Sequence, residues 1–165
     1  MKNVYLDASA LVKHFHHEIG SAVVNETIEL VSAHDPRRLF VSALTTVETL
    51  SILNRRRNAS QIPLPDFIRS LRGVIRELKR FSHYLVIDDQ FLLASAQYTI
   101  KHNINSADAI HVAVCLSLQD ALRQSNDELV CMTADKRLAR AARAEGIAVV
   151  DPEQQSIAQA RALIQ

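Results

Sequence analysis

A chain of 165 residues with 48% hydrophobic side chains is long enough to bury one sizeable core, and residues 1–165 are expected to form a single domain. Only three Gly and four Pro occur, which excludes collagen-like, low-complexity and disordered classes. The net charge of +1 excludes a molecule that coats nucleic acid with an overall basic surface; any such contact must use local Lys/Arg clusters.

The opening Met1-Lys2-Asn3-Val4-Tyr5-Leu6-Asp7 is too short and turns acidic too soon for a signal peptide. Val4–Leu6 is an apolar run of strand length that ends in a carboxylate, and a helix-compatible segment follows. Gly20-Ser21 separates this first helix from a second that ends near His34-Asp35-Pro36. Leu39–Val41 reads as the second strand, and a helix follows from about Ala43 to Arg57. The irregular stretch from Arg55 to Asp66 breaks that helix and starts another running to about Arg80. Neither half would own a sheet, so the break reads as a loop within one domain.

Tyr84–Ile87 is the third strand candidate, with Asp88 and Asp89 as cap signals for a helix through Gln97 and Ile100. The segment Asn105–Leu116 is apolar nearly all round, as an interior helix is, and holds Cys115. Leu129–Met132, holding Cys131, is the fourth strand, and Ala139–Glu145 is a helix closed by Gly146. Ala148–Val150 is the fifth strand, and Glu153–Ile164 is a candidate terminal helix. Strands alternating with helices predict an α/β fold with a mostly parallel sheet of four to five strands, covered on both faces. Both cysteines are expected as buried thiols of a reducing compartment. No apolar run reaches the roughly 18 residues of a membrane span, so a soluble, cytoplasmic protein without membrane contact is expected.

Four acids stand in places that ask for a reason. Asp7 and Asp135 each follow a strand and open a helix, where either a helix cap or a ligand site at the strands' carboxyl edge explains them. Glu48 falls between Leu44 and Ile52 on one helical stripe, and a buried carboxylate there needs a partner. Arg55 or a neighbouring element is the ordinary candidate. Asp108 lies in the first turn of its helix although Asn105 and Ser106 already offer caps. If the four converge at the carboxyl edge of the sheet, their mutual repulsion calls for a divalent cation, and all-oxygen ligation favours Mg²⁺ or Mn²⁺ over zinc.

Four segments carry a family resemblance. They are Tyr5-Leu6-Asp7-Ala8-Ser9-Ala10-Leu11-Val12-Lys13, Val41-Ser42-Ala43-Leu44-Thr45-Thr46-Val47-Glu48, Ser106-Ala107-Asp108-Ala109-Ile110-His111-Val112-Ala113 and Met132-Thr133-Ala134-Asp135-Lys136-Arg137-Leu138. In this order, and with every acid in place, the sequence resembles the PIN-domain nucleases, most closely the VapC-like toxins of type II toxin–antitoxin systems. The resemblance implies an α/β/α sandwich with a central parallel sheet. It implies that Asp7, Glu48, Asp108 and Asp135 hold one or two Mg²⁺ or Mn²⁺ ions, supported by Ser9 and Thr133. It also implies an endoribonuclease acting on RNA, a homodimer, and a cognate antitoxin protein as partner. The stretch 58–80 is longer than compact members of the family need.

Arg55 and Lys136 are the expected RNA contacts, because both are near the acids in sequence. His14-Phe15-His16-His17 is read as surface or partner-facing, since no further ligand has a recognisable spacing, and His111 is read as packed. An aspartyl phosphotransferase of the haloacid dehalogenase type is set aside, because the position two after Asp7 is Ser9. Two alternatives remain open: a housekeeping PIN-type RNA-processing nuclease, and a non-catalytic PIN module that binds RNA or a partner.

Overall fold

The computed structural model describes residues 1–83 and 88–165. Its strands are β1 (Asn3–Leu6), β2 (Leu39–Val41), β3 (Ser82–His83), β4 (Leu129–Met132) and β5 (Ala148–Val150). They form one sheet in the order β3-β2-β1-β4-β5, and each neighbouring pair is parallel. The helices among the described residues are α1 (Ala8–Phe15), α2 (Ser21–His34), α3 (Ala43–Asn58), α4 (Leu64–Leu78), α5 (Asp89–His102), α6 (Ser106–Arg123), α7 (Lys136–Ala144) and α8 (Ile157–Ile164). A 3-10 turn spans Pro36–Arg38. Four of the five expected strands are found where the sequence put them; the expected strand Tyr84–Ile87 lies outside the described residues.

Side-chain alternation in β1 splits the core into two layers. Val4 and Leu6 face Leu11 of α1, Val24 and Ile28 of α2 and Ile164 of α8. Tyr5 faces the opposite layer, with Val114, Cys115 and Leu118 of α6 and Ala139 and Ala142 of α7. The result is an α/β/α sandwich with an all-parallel sheet. Cys115 and Cys131 are both buried and unbridged. Their mutual hydrogen bond and their burial push the Cys131 thiol well above its ordinary range.

The order of the strands decides where a site can form. From β1 the chain winds outward to β2 and β3, then returns to the other side of β1 for β4 and β5. This reversal opens a crevice at the carboxyl ends of β1 and β4, the place where ligands bind in open parallel sheets. The register holds the two ends level: Leu6 pairs with Met132, and the Asp7 amide donates to the Met132 carbonyl at 3.2 Å.

Local chemistry sets the element boundaries. Gly20 enters α2 at φ +88°, with its Cα against the Pro152 backbone, so a Cβ there would lie 2.8 Å from the Pro152 carbonyl oxygen. Asp88 caps α5 through the Phe91 amide at 2.8 Å. The last helix starts at Ile157, later than Glu153, because Asp151 first holds a turn. Its Oδ1 accepts from the Glu153 amide at 2.9 Å, and Ser156 then opens α8 with a capping box to Gln159. The long 58–80 stretch is occupied by α4, whose Val74 packs with Val12, Leu53 and Ile62 in an apolar cluster of its own. Among the described residues no helix is long and apolar enough to cross a membrane.

Candidate active site

Asp7 closes β1 and caps α1, its Oδ1 accepting from the Ala10 amide at 3.0 Å. Ser9 Oγ lies 2.9 Å from each carboxylate oxygen and donates to the pair. The same Ser9 oxygen accepts from the Ala134 amide at 2.8 Å and is 3.2 Å from Thr133 Oγ1. Ser9 and Thr133 therefore tie the end of β1 to the end of β4. Thr133 Oγ1 accepts from the Asp135 amide at 3.0 Å, and Asp135 in turn caps α7 through the amides of Arg137 at 2.8 Å and Leu138 at 3.2 Å. Both strand-end acids are thus helix caps, and their free lone pairs remain at the crevice.

Glu48 reaches the same place from α3, which is fixed to the sheet by a Ser42–Thr45 capping box. Thr45 Oγ1 donates to the Leu6 carbonyl at 3.2 Å. The buried stripe of α3 is Thr45, Thr49 and Leu53, whereas Val47 is 63% exposed. This corrects the apolar-stripe argument for Glu48, which lies at the half-exposed margin of the helix. The hydroxyls of Thr45 and Thr49 bond to backbone carbonyls, which lets a polar-looking stripe take the buried side. Glu48 does have a partner on a neighbouring element: its Oε2 accepts from His111 Nε2 at 2.8 Å.

Asp108 sits in the first turn of α6, which is capped by Asn105. Its Oδ2 is buried and has no hydrogen-bond partner among the described residues. Burial and the neighbouring Asp135 charge push its carboxyl above the ordinary range, against the opposing pull of Arg137 and His111. Burial also raises Asp7, while His111, the Ala10 amide, Ser9 and Thr133 pull it down. Burial thus disfavours the ionised forms of Asp7 and Asp108, a cost that a bound cation would offset.

Asp7, Ser9, Glu48, Arg55, Asp108, His111 and Asp135 line one cleft of about 250 Å³. A family model for the PIN domain matches residues 4–144. The chain belongs to the PIN-domain family. Comparison with curated proteins gives no match. Among solved structures, PAE2754 from Pyrobaculum aerophilum is similar at 18% identity and TM-score 0.63, over 98% of this chain and 96% of the other. FitAcB from Neisseria gonorrhoeae is similar at 15% identity and TM-score 0.55, over 92% of this chain and 99% of the other. VapC20 of Mycobacterium tuberculosis, a sarcin–ricin-loop-cleaving toxin, is similar at 14% identity and TM-score 0.56, over 90% of this chain and 98% of the other. At these identities the likenesses show the PIN fold.

The all-oxygen donor set of this PIN domain, with its orphaned Asp108 oxygen, fits a hard divalent cation. Among the described residues no group of three or more His, Cys, Asp or Glu side chains is arranged so that, as it stands, it could hold a metal ion. Mg²⁺ tolerates that, because it keeps several of its own waters and uses few direct protein ligands.

Of the expected RNA contacts, Arg55 lines the cleft and Lys136 is exposed outside its lining. Arg137, one residue further on, places Nε 3.8 Å from Asp108 Oδ2. Sequence reasoning preferred Lys136 to its neighbour Arg137, and read His111 as packed, which it is, without its contact to Glu48. The need of Glu48 for a partner on a neighbouring element is the signal that could have found that contact. His14, His16 and His17 line a separate groove with Asn25, Asp66 and Arg69, consistent with their reading as surface residues.

Proposed function

We propose that this PIN domain is a Mg²⁺- or Mn²⁺-dependent endoribonuclease, one domain over residues 1–165, acting as the toxin of a toxin–antitoxin pair. The observation that carries the proposal is the convergence of Asp7, Glu48, Asp108 and Asp135 on one cleft at the switch point of the sheet. Resemblance to VapC-like toxins, and similarity in fold to a toxin that cleaves the sarcin–ricin loop, support RNA as substrate. They also support a cognate antitoxin as partner. A homodimer and a cytoplasmic location are part of the same proposal.

Asp7 and Asp108 are the residues that would hold the first cation directly, with Glu48 and Asp135 binding a second ion or its waters. The bound metal supplies a water of lowered pKa and a Lewis acid for the phosphate oxygens. Ser9 restrains both oxygens of Asp7, and Thr133 restrains the Asp135 backbone, so two of the acids arrive preorganised. Arg55, Lys136 and Arg137 supply positive charge for the RNA phosphates. Asp108 and Asp7 are raised acids that become full ligands once a cation offsets their burial.

The test is RNA cleavage in Mg²⁺ buffer by the wild type and by Asp7→Asn and Asp108→Asn. Loss of cleavage in both variants supports the proposal, and cleavage at the wild-type rate in either overturns it. A non-catalytic PIN module is distinguished by metal titration, since a catalytic site binds Mn²⁺ in the free protein. Growth arrest on expression, relieved by the product of a small neighbouring gene, separates a toxin from a housekeeping nuclease.

A further inference from the structure

We propose that His111 is a positioning residue for the cleft: anchored by Tyr5, it fixes which oxygen of Glu48 is presented to a metal ion. The inference rests on the nuclease reading above and assigns a role that the four acids alone do not require.

The argument is one of available protons. Ionised Glu48 can only accept, so the 2.8 Å contact to His111 Nε2 requires the ring proton on Nε2. In the neutral ring Nδ1 is then an acceptor, 2.6 Å from the Tyr5 hydroxyl, whose single proton is shared between Nδ1 and Ser42 Oγ. Tyr5 itself is fully buried, and its oxygen is 3.0 Å from Ser42 Oγ and 3.1 Å from Thr45 Oγ1. Thr45 commits its only proton to the Leu6 carbonyl. The phenol is therefore pinned by the same residues that dock α3 on β1.

The four acids differ in what holds them. Asp7 and Asp135 are fixed by helix N-terminal amides. Glu48 lies mid-helix, where the backbone amides are already committed to the helix, and its longer side chain has more rotamers to lose. Contact with His111 engages Oε2, on a side chain that lines the cleft. His111 stands one helical turn after Asp108, so α6 presents an acid and the holder of a second acid on the same face. Hydrogen bonds to metal-binding carboxylates of this kind tune affinity from behind the ligand.

The test combines Mn²⁺ titration calorimetry with ¹⁵N NMR of the imidazole in metal-free protein. The wild type is expected to show His111 as the Nε2–H tautomer with Nδ1 accepting a hydrogen bond, and Tyr5→Phe to lower the share of that tautomer. His111→Leu is expected to bind Mn²⁺ about 10–100-fold more weakly. His111→Gln, which restores an N–H donor toward Glu48, should recover most of the loss, whereas a purely packing role predicts no such rescue. A ring proton on Nδ1, a Leu variant that binds as the wild type does, or a Gln variant no better than Leu overturns the inference. If the wild type itself binds no Mn²⁺, the nuclease reading falls and the positioning role falls with it. If the wild type binds Mn²⁺ and the Leu variant is unchanged, the positioning role alone falls.

Discussion

The guanidinium of Arg137 stands between two acids, its Nε 3.8 Å from Asp108 Oδ2 and 4.0 Å from Asp135 Oδ1. At these distances it relieves part of the carboxylate repulsion without forming a close, desolvated pair, and its side chain is 58% exposed. It is thus both a resident counter-charge and a group free to turn toward a phosphate. Arg137→Met is expected to tighten Mn²⁺ binding by about two- to fivefold, the range of an exposed ion pair. The same change should weaken RNA binding and flatten its salt dependence. Calorimetry and RNA binding at two salt concentrations check both directions.

Asp7 and Asp108 carry a pH signature. Each carboxyl is raised above its ordinary range in the fold, so the native state holds these protons to higher pH than the unfolded chain does. Native stability therefore falls as pH rises from the ordinary carboxylate pKa through the raised values, and above them the loss is complete. Asp7→Asn keeps a side chain able to cap α1 and removes the charge. It is expected to be more stable than the wild type at pH 7 in EDTA and to lose that advantage toward pH 3. Denaturant melts at the two pH values decide it. Added Mn²⁺ should stabilise the wild type and leave Asp7→Asn unmoved.

Thr45→Val probes the attachment of α3. The substitution leaves the Leu6 carbonyl without its 3.2 Å donor and takes a hydroxyl away from the buried Tyr5. Leaving buried polar groups unpaired costs about 1–3 kcal/mol, to be read as a lower urea midpoint at unchanged slope. Because Glu48 rides on the same helix, Mn²⁺ affinity should fall as well.

Gly20→Ala tests the other side of the molecule. An L side chain at φ +88° is strained, and the added Cβ would press on the Pro152 carbonyl. A loss of about 1–3 kcal/mol is expected, with Mn²⁺ affinity unchanged in the folded protein. A variant as stable as wild type would show that the turn relaxes freely.

Much of the fold was legible because its signals are local. β1, β4 and β5 are short apolar runs followed by Asp, β2 is one followed by the capping Ser42, and their alternation with helices implies a parallel sheet. Asp7 and Asp135 were visible for the same reason, since a capping acid after a strand marks its own position. What depends on three-dimensional register was harder. On α3 the buried face carries Thr45 and Thr49, whose hydroxyls are satisfied by carbonyls, so hydrophobicity alone placed the stripe one position away. On α7 the cap of Asp135 on the Arg137 amide turns Arg137, not Lys136, toward Asp108. His111 lies on a helix apolar nearly all round, where a histidine reads as packing until its two partners, 106 and 63 residues away in the chain, are seen.

The pairing of Asn3–Leu6 with Leu129–Met132 also sets a schedule for synthesis. Asp7 is made long before β4, yet the contacts of Ser9 with Thr133 and Ala134 that tie it to the cleft exist only after β4 has slotted in beside β1. A growing chain on the ribosome therefore carries its acids unassembled until β4 and Asp135 have emerged. If the cleft cuts RNA, that activity begins only once Asp135 has been made and β4 has paired with β1, and a chain truncated before β4 lacks the assembled cleft.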